Sequence, residues 1–381
     1  MNFELSENQK LLQEMVSEFV QKEVVPRAKS LEDEHKFPRE LLNKLGELGL
    51  LGMTVSTQYE GCQTDYLSLV LAIEEISKIF PSLAVIFSVH SSLFCYSINK
   101  FGTSSQKKKY LPPSAKGEII GAFSLTESGA GSDATNLKTR AVKKGRTWVL
   151  NGTKAWVTSG SDADAFIIFT KAGSEAREKK LNAFIVEKNF PGLKVSKVEE
   201  KMGLHSSGTS EIVLEDCEVP EENLLGEEGK GASIALHCLD GSRIGIAAQS
   251  LGISQKAFEE AISYAKQREA FGKKLSQIQA IQFMLADIAT LLESARFLTY
   301  RAANLYDKKK TFTKQAAMAK LYASEAAHKI VDKALQIHGG YGYSKEYLIE
   351  QLYRDVRVLS IYEGTSEIQR LVISRCLQEE Y

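Results

Sequence analysis

Three stretches of the chain differ in how their apolar residues are spaced. From Ser6 to about Lys116 the spacing is helical. Ser6-Glu7-Asn8-Gln9 has the form of a capping box, and Leu11, Leu12, Met15 and Phe19 follow at helical intervals. Pro26, Pro38 and Pro81 punctuate further helices, and Thr103-Ser104-Ser105-Gln106 predicts another helix start. The longest apolar run, Pro81 to Ile98, is broken by Ser82, Ser88, His90, Ser91, Ser92 and Ser97. That is too polar for insertion into a membrane and predicts a buried helix.

From about Ile119 to Pro220 the period shortens. Ala165-Phe166-Ile167-Ile168-Phe169 and Asn182-Ala183-Phe184-Ile185-Val186 are runs of strand length, and Glu211-Ile212-Val213-Leu214 is a late strand. Asn151-Gly152, between Trp148-Val149-Leu150 and Thr153-Lys154-Ala155-Trp156-Val157, predicts the tight turn of a hairpin. From about Lys230 the helical period returns, with long helices predicted over Gly231 to Gln267, Gln277 to Asp307 and Thr313 to Ile337. Shorter ones follow Lys345 and Gly364. Long helices on short loops predict an antiparallel bundle. The fold class is therefore α+β. An N-terminal α-helical domain spans 1–118, a middle β-domain of antiparallel strands 119–226, and a C-terminal bundle of four-helix type 227–381.

A length of 381 residues agrees with this division, at about 150 residues per domain. Lys+Arg and Asp+Glu both number 48, so there is no electrostatic footprint for nucleic acid or an anionic membrane. Five cysteines form no CxxC pair, and the six histidines form no HExxH. These counts argue against a disulfide scaffold or a metal site and favour a reducing cytosol. Met1-Asn2-Phe3-Glu4-Leu5 is acidic and amphipathic, with no visible targeting segment, which predicts a cytoplasmic protein. A mature protein of the mitochondrial matrix has the same pattern.

Gly129-Ala130-Gly131-Ser132-Asp133-Ala134 matches the dinucleotide pattern G-x-G-x-x-A. A Rossmann turn must open a helix, yet Asn136 to Val142 carries no helical stripe, so the context fails. The loop could still cradle a phosphate on backbone N–H groups, or be a plain surface turn. Glu363, just before Gly364 at a helix entry, reads on its own as a carboxylate favouring the helix's positive end. Lysine runs at 107–109 and 308–310 read as solvated faces.

Taken together, Thr126 to Asp133, Trp156 to Gly160 and Ile361 to Gln369 resemble the acyl-CoA dehydrogenase family. So do Leu239 to Ile244, Arg268 to Gly272 and Gln336 to Tyr343, and all six motifs stand in the family's order. The resemblance is nearest to short-chain, butyryl-CoA members. It implies FAD as cofactor, an acyl-CoA substrate and oxidation to the trans-2-enoyl-CoA. It also implies an electron-transferring flavoprotein as acceptor and a homotetramer built as a dimer of dimers. An α-proton beside a thioester needs a positioned base, and the β-hydride needs an acceptor such as flavin N5.

Carried over residue by residue, the resemblance makes Glu363 the base. Phe123, Leu125, Thr126, Gly131, Ser132, Trp156, Val157 and Thr158 are implied around the flavin, with Ser132 also near CoA. Thr365 and Glu367 open the last helix, where N–H groups favour phosphate. Arg268, Phe271, Gln279, Gln336, Ile337, His338, Gly339 and Gly340 are implied to grip the adenosine half of a neighbouring subunit's FAD. Asp240, Arg243, Tyr362 and Gly364 are implied on the substrate. Alternatives stand beside several of these. Trp156 could be a strand-core aromatic, Arg268 a solvated helix-end cation, and Asp240–Arg243 a plain i, i+3 salt bridge.

Two positions depart from the family pattern: Ser128, where proline is common, and His205, where arginine is common. Members that carry the base on the Leu-Asp helix have glutamate where Ser242 stands here, and glutaryl-CoA members have arginine where Ala84 stands. Straight short or medium chains, or 2-methyl-branched ones, are therefore expected. A dicarboxylate is disfavoured there; of Ser88, His90 and Ser91 near Ala84, His90 could reopen that question, although a satisfied structural histidine is the safer reading. An oxidase or monooxygenase on the same fold, or a non-catalytic FAD- or CoA-binding scaffold, are the alternative functions.

Overall fold

The first helices form where their ends are capped. In the computed structural model, which describes residues 4–172 and 180–380, Ser6 caps α1 (Glu7–Phe19). Its hydroxyl accepts from the Gln9 N–H, and its own N–H donates to the Gln9 amide oxygen. Met1, Asn2, Phe3 and Tyr381 lie outside the described residues. A π-helical turn at Val20–Val24 leads into α2 (Val25–Asp33), with Pro26 in its first turn. Next come α3 (Arg39–Glu47), α4 (Tyr66–Ile79) and α5 (Pro81–Ser88). A second π-helical stretch, Val89–Cys95, joins α5 to α6 (Tyr96–Phe101). The predicted Thr103/Gln106 capping box opens α7 (Ser104–Ala115). The apolar rod from Pro81 to Phe101 is largely buried. Two of its serines bond back along the helix, Ser92 to the Ser88 carbonyl at 2.6 Å and Ser97 to the Leu93 carbonyl at 2.5 Å, and Ser82 donates to Glu32 on α2.

The middle region is a seven-stranded sheet. Its strands are β1 (Gly121–Ser124), β2 (Arg140–Lys144), β3 (Thr147–Val157), β4 (Ala165–Ala172), β5 (Leu181–Glu187), β6 (Leu193–Val198) and β7 (Ser210–Pro220). The sheet is mixed, whereas the sequence suggested antiparallel strands throughout. β4 runs antiparallel to β5 but parallel to both β1 and β2, with Gly121 opposite Ala165 and Arg140 opposite Lys171. β1 and β2 can both pair with β4 because residues 125–139 loop out and bring the chain back in its original direction.

The turn predicted at Asn151-Gly152 is not a turn. Both residues lie within β3, and the pairing with β7 slips there, from Leu150 opposite Cys217 to Gly152 opposite Leu214. Gly152 has φ +148°, and a Cβ on it would lie 2.5 Å from Thr139 Oγ1. The glycine thus serves a bulge and a close approach of backbone, and Asn151 bonds Asp216 across the strands. The hairpin turn falls at Gly145-Arg146 instead, where Gly145 has φ +64°.

The C-terminal helices are α8 (Gly231–Gln267), α9 (Gln279–Asp307), α10 (Thr313–His338), α11 (Leu348–Val356) and α12 (Ser366–Glu380). α10 packs on α8, α9 and α12, and α4 packs on α8 and α9. One apolar core runs through both helical regions, from Val16 to Leu359. A second lies between helices and sheet, joining Val85, Val89, Leu125 and Ile234 and touching Tyr362. That junction positions the site.

Candidate functional site

The corner before α12 is conformationally costly. Glu363 has φ +54° and Gly364 φ +89°, so a glutamate holds a left-handed conformation that ordinary side chains disfavour. Donors from behind secure it. Gln369 Nε2 donates to the Glu363 carbonyl at 3.2 Å and to the Gly364 carbonyl at 2.9 Å. Lys320 Nζ donates to the same Gly364 carbonyl at 2.7 Å. Thr365 caps α12 by accepting from the Ile368 N–H. Tyr362 donates its hydroxyl to Gln249, whose amide nitrogen donates to the Pro81 carbonyl.

The Glu363 side chain is half-buried, and its Oε2 accepts from the Ser242 hydroxyl at 2.7 Å. Burial pushes this carboxyl above the usual glutamate value; the Ser242 bond and the charges of Lys320 and Arg243 pull back only part of the way. A carboxylate raised by its surroundings and open on one side is suited to taking a proton near neutral pH.

Phe123 and Leu125 belong to the apolar cluster against which Tyr362, the neighbour of Glu363, packs, and the end of β3 bonds to the same stretch. Phe123 is on β1, and Leu125 and Thr126 follow it; the Thr126 carbonyl accepts from the Ala155 N–H at 2.9 Å, tying the two segments together. Trp156 is no core aromatic. It has φ +57° and is 59% exposed, while Val157 beside it is buried. Thr158 is partly exposed, and the next N–H, of Ser159, donates to the Ser207 carbonyl. Beneath this floor Lys154 and Glu127 form a buried ion pair at 2.8 Å. Lys154 also donates to the Leu125 carbonyl, and Glu127 accepts from the Lys138 and Thr139 N–H groups.

The glycine loop is a turn closed by reciprocal Glu127–Ala130 backbone bonds, and no helix follows it, as the failed Rossmann context implied. A Cβ on Gly131 would meet nothing within 4 Å, and Ser132 is exposed, so the loop is open to a ligand. Ser128 lies exposed at its tip. An exposed indole face, bare loop glycines and a polar strand end suit a flat, partly apolar ring system with a phosphate tail. The flavin chemistry implied by the sequence fits these residues.

The remaining predicted residues fall elsewhere. Arg268 and Gln336, Ile337, His338, Gly339 and Gly340 come together around a cavity of about 710 Å³, with the Arg268 guanidinium 5.6 Å from the Tyr341 ring centre. A Cβ on Gly339 or Gly340 would again meet nothing. Phe271 is 95% exposed, and Gln279 starts α9; neither lines that cavity. Asp240 and Arg243 do form the i, i+3 ion pair, at 2.5 Å, with Thr313 donating to the second Asp240 oxygen. Glu367 is exposed in the first turn of α12.

His90 is structural. Its Nδ1 accepts from the Gly121 N–H and its Nε2 lies 3.1 Å from the Ser114 carbonyl; burial holds it neutral, with its pKa pulled down to about 4. It offers no charge to a second carboxylate. Ala84 is fully buried. The His205 N–H donates to Glu32, and its ring lies tilted against that of His35, with centres 4.2 Å apart. Among the described residues there is no cluster suited to a metal.

Sequence reasoning missed Lys320, Gln369 and the Lys154–Glu127 pair. Lys320 left a signal. It shares a helical stripe with Ala316, Ala323 and Ala327, all buried, where a charge is out of place. Lys154 left none, because alternate strand positions are often polar.

Comparison with known proteins bears on the whole chain. Models of the acyl-CoA dehydrogenase N-terminal, middle and C-terminal domains match residues 6–118, 122–217 and 229–378. The mitochondrial short-chain specific acyl-CoA dehydrogenase of Rattus norvegicus is 49% identical over 99% of this chain and 92% of its own. Butyryl-CoA dehydrogenase from Megasphaera elsdenii is similar in structure with TM-score 0.96 and 41% identity, covering 99% of this chain and 100% of its own. A chain solved in work on the electron transferring flavoprotein of Acidaminococcus fermentans is similar with TM-score 0.97 and 44% identity, covering 99% of each chain.

Proposed function

The chain belongs to the acyl-CoA dehydrogenase family, and from that premise we propose that it oxidises a short or medium straight-chain acyl-CoA to the trans-2-enoyl-CoA with Glu363 as the α-proton base. The raised carboxyl of Glu363 on its strained corner carries this reading. FAD, when bound, supplies the acceptor for the β-hydride. Phe123, Leu125, Thr126, Gly131, Ser132, Trp156, Val157 and Thr158 would hold it.

The protein's own part is to place and receive a proton. Ionised Glu363 takes the α-proton on a carboxylate oxygen as the α,β double bond forms. Ser242 suits both states of the base. Toward the carboxylate its hydroxyl donates; toward the acid it accepts, and its own proton turns to the Leu239 carbonyl 3.1 Å away. A small hydroxyl where other members carry the base leaves Glu363 as the carboxylate in this corner. Ala84 and neutral His90 provide no partner for a distal carboxylate, which favours a plain acyl chain.

Arg268 lies 26 residues beyond Ser242 along α8, about 39 Å at 1.5 Å per residue, further than one extended dinucleotide reaches. The second group of residues would therefore serve a neighbouring subunit's FAD, which supports a homo-oligomer, with a tetramer as the proposed state. An electron-transferring flavoprotein is the proposed acceptor. Anaerobic titration with butyryl-CoA and a C4–C16 panel tests the reading. The flavin absorption should bleach with the shorter chains and recover only slowly in air. No bleaching with any acyl-CoA would overturn it, and fast recovery in air would indicate an oxidase.

A further inference from the structure

Lys320 is fully buried in the middle of α10, and its hydrogen-bond acceptor is a neutral carbonyl, that of Gly364. A buried ammonium without a bonded carboxylate is expensive, so its retention asks for a reason. The geometry supplies one. The Gly364 carbonyl belongs to the corner that presents Glu363, and both residues of that corner have positive φ. Gln369 secures the corner from the α12 side and Lys320 from the α10 side. Glu363 is also the foremost carboxylate acting on the Lys320 charge.

We infer that Lys320 is a positioning residue for the base: its ammonium, set behind the Gly364 carbonyl, holds the Glu363-Gly364 corner in its left-handed turn and keeps a positive charge beside the Glu363 carboxylate. The inference rests on the reading of Glu363 as base. Without that charge, burial acts on Glu363 opposed only by Ser242 and Arg243, and the carboxyl stays protonated to higher pH. The other ionisable groups around the corner do not replace Lys320. Arg243 on α8 is already paired with Asp240. Cys238 on α8, Tyr66 on α4 and Tyr362 beside the base are neutral, each held protonated by burial. Glu367 on α12 and Glu325 on α10 are acidic and act on Lys320 itself. Burial draws the Lys320 ammonium down, and the Glu363 carboxylate, first among the charges around it, holds it up.

The test uses the FAD-loaded enzyme with Lys320→Met, which keeps length and loses charge, and Lys320→Arg, which keeps charge. The infrared band of the protonated Glu363 carboxyl, identified by its loss in Glu363→Gln, is titrated in each. Lys320→Met should move its midpoint up by about one pH unit or more, equivalent to about tenfold in ionisation. The same variant should lower kcat for butyryl-CoA at pH 7 about tenfold while KM changes by less than about threefold. Lys320→Arg should restore the midpoint and most of kcat. An unmoved midpoint in flavin-loaded Lys320→Met overturns the inference. If the methionine variant fails to hold flavin, Lys320→Arg decides: a midpoint like the wild type's upholds the inference, and one displaced by a unit despite the retained charge overturns it. Failure of the wild-type enzyme to be reduced by any acyl-CoA would overturn the proposed function, yet the band midpoints would still judge the coupling.

Discussion

Two glutamates of this molecule each have a buried lysine close by, and they behave in opposite ways. Lys154 touches Glu127 at 2.8 Å beneath the β1–β3 floor, and the Lys138 and Thr139 N–H groups donate to that same carboxylate. Burial would raise Glu127, but the Lys154 charge and the Thr139 and Lys138 bonds outweigh it and hold the carboxyl below its usual range. Lys320 and Glu363 share a corner without bonding each other; the lysine holds a carbonyl and the glutamate a serine. There burial wins, and the carboxyl is raised. A pair in contact fixes a structure, whereas a pair kept apart by one peptide leaves the carboxylate free to react.

The largest effect should come from Glu363, the proposed base. Glu363→Gln should keep its yellow flavin and bind acyl-CoA but lose turnover by about 10³-fold or more, the scale expected when a positioned base is removed. Steady-state kinetics and α-proton exchange from deuterated solvent measure it, and turnover near the wild-type rate would remove Glu363 from the mechanism. Lys154→Met should instead act on stability. It leaves Glu127 buried and unpaired, at a cost of about 3–5 kcal/mol, read as a lower midpoint in denaturant and weaker flavin retention. If it proves as stable as the wild type, the contrast between the two pairs fails.

A smaller effect is expected from Ser242→Ala, which deletes the hydrogen bond that helps keep Glu363 ionised. The acid limb of the kcat profile should move to higher pH with only a severalfold loss at its plateau; movement to lower pH would reverse the assigned role. The smallest effect concerns acid stability. A depressed carboxyl contributes stability that is present above its unfolded value, near 4.5, and is lost as pH falls through the lower folded value. Glu127→Gln should therefore flatten the fall in melting temperature below about pH 4.5, whereas Glu363→Gln, whose carboxyl is shifted the other way, should not.

Much of the frame was legible in the chain because its signals are local. Ser6 and Thr103 announce helix starts that bond as capping boxes do, and α8 runs over the range its period predicts. The bulge at Gly152 was not legible. Asn-Gly permits a turn, but what requires glycine there is Thr139 across the sheet, a contact that local sequence cannot show. The candidate site divides the same way. Glu363 stood out through its ordered motifs, while its supports, Ser242, Lys320 and Gln369, come from three different helices and meet only after folding.

The length of α8 has a consequence for heredity and engineering. One rigid rod places Ser242 beside Glu363 near its start and ends at Arg268. If each flavin is gripped by Glu363's end of one subunit and Arg268's end of another, a subunit damaged at one end can be complemented by a partner damaged at the other. Mixed oligomers of two inactive alleles would then regain a fraction of working centres.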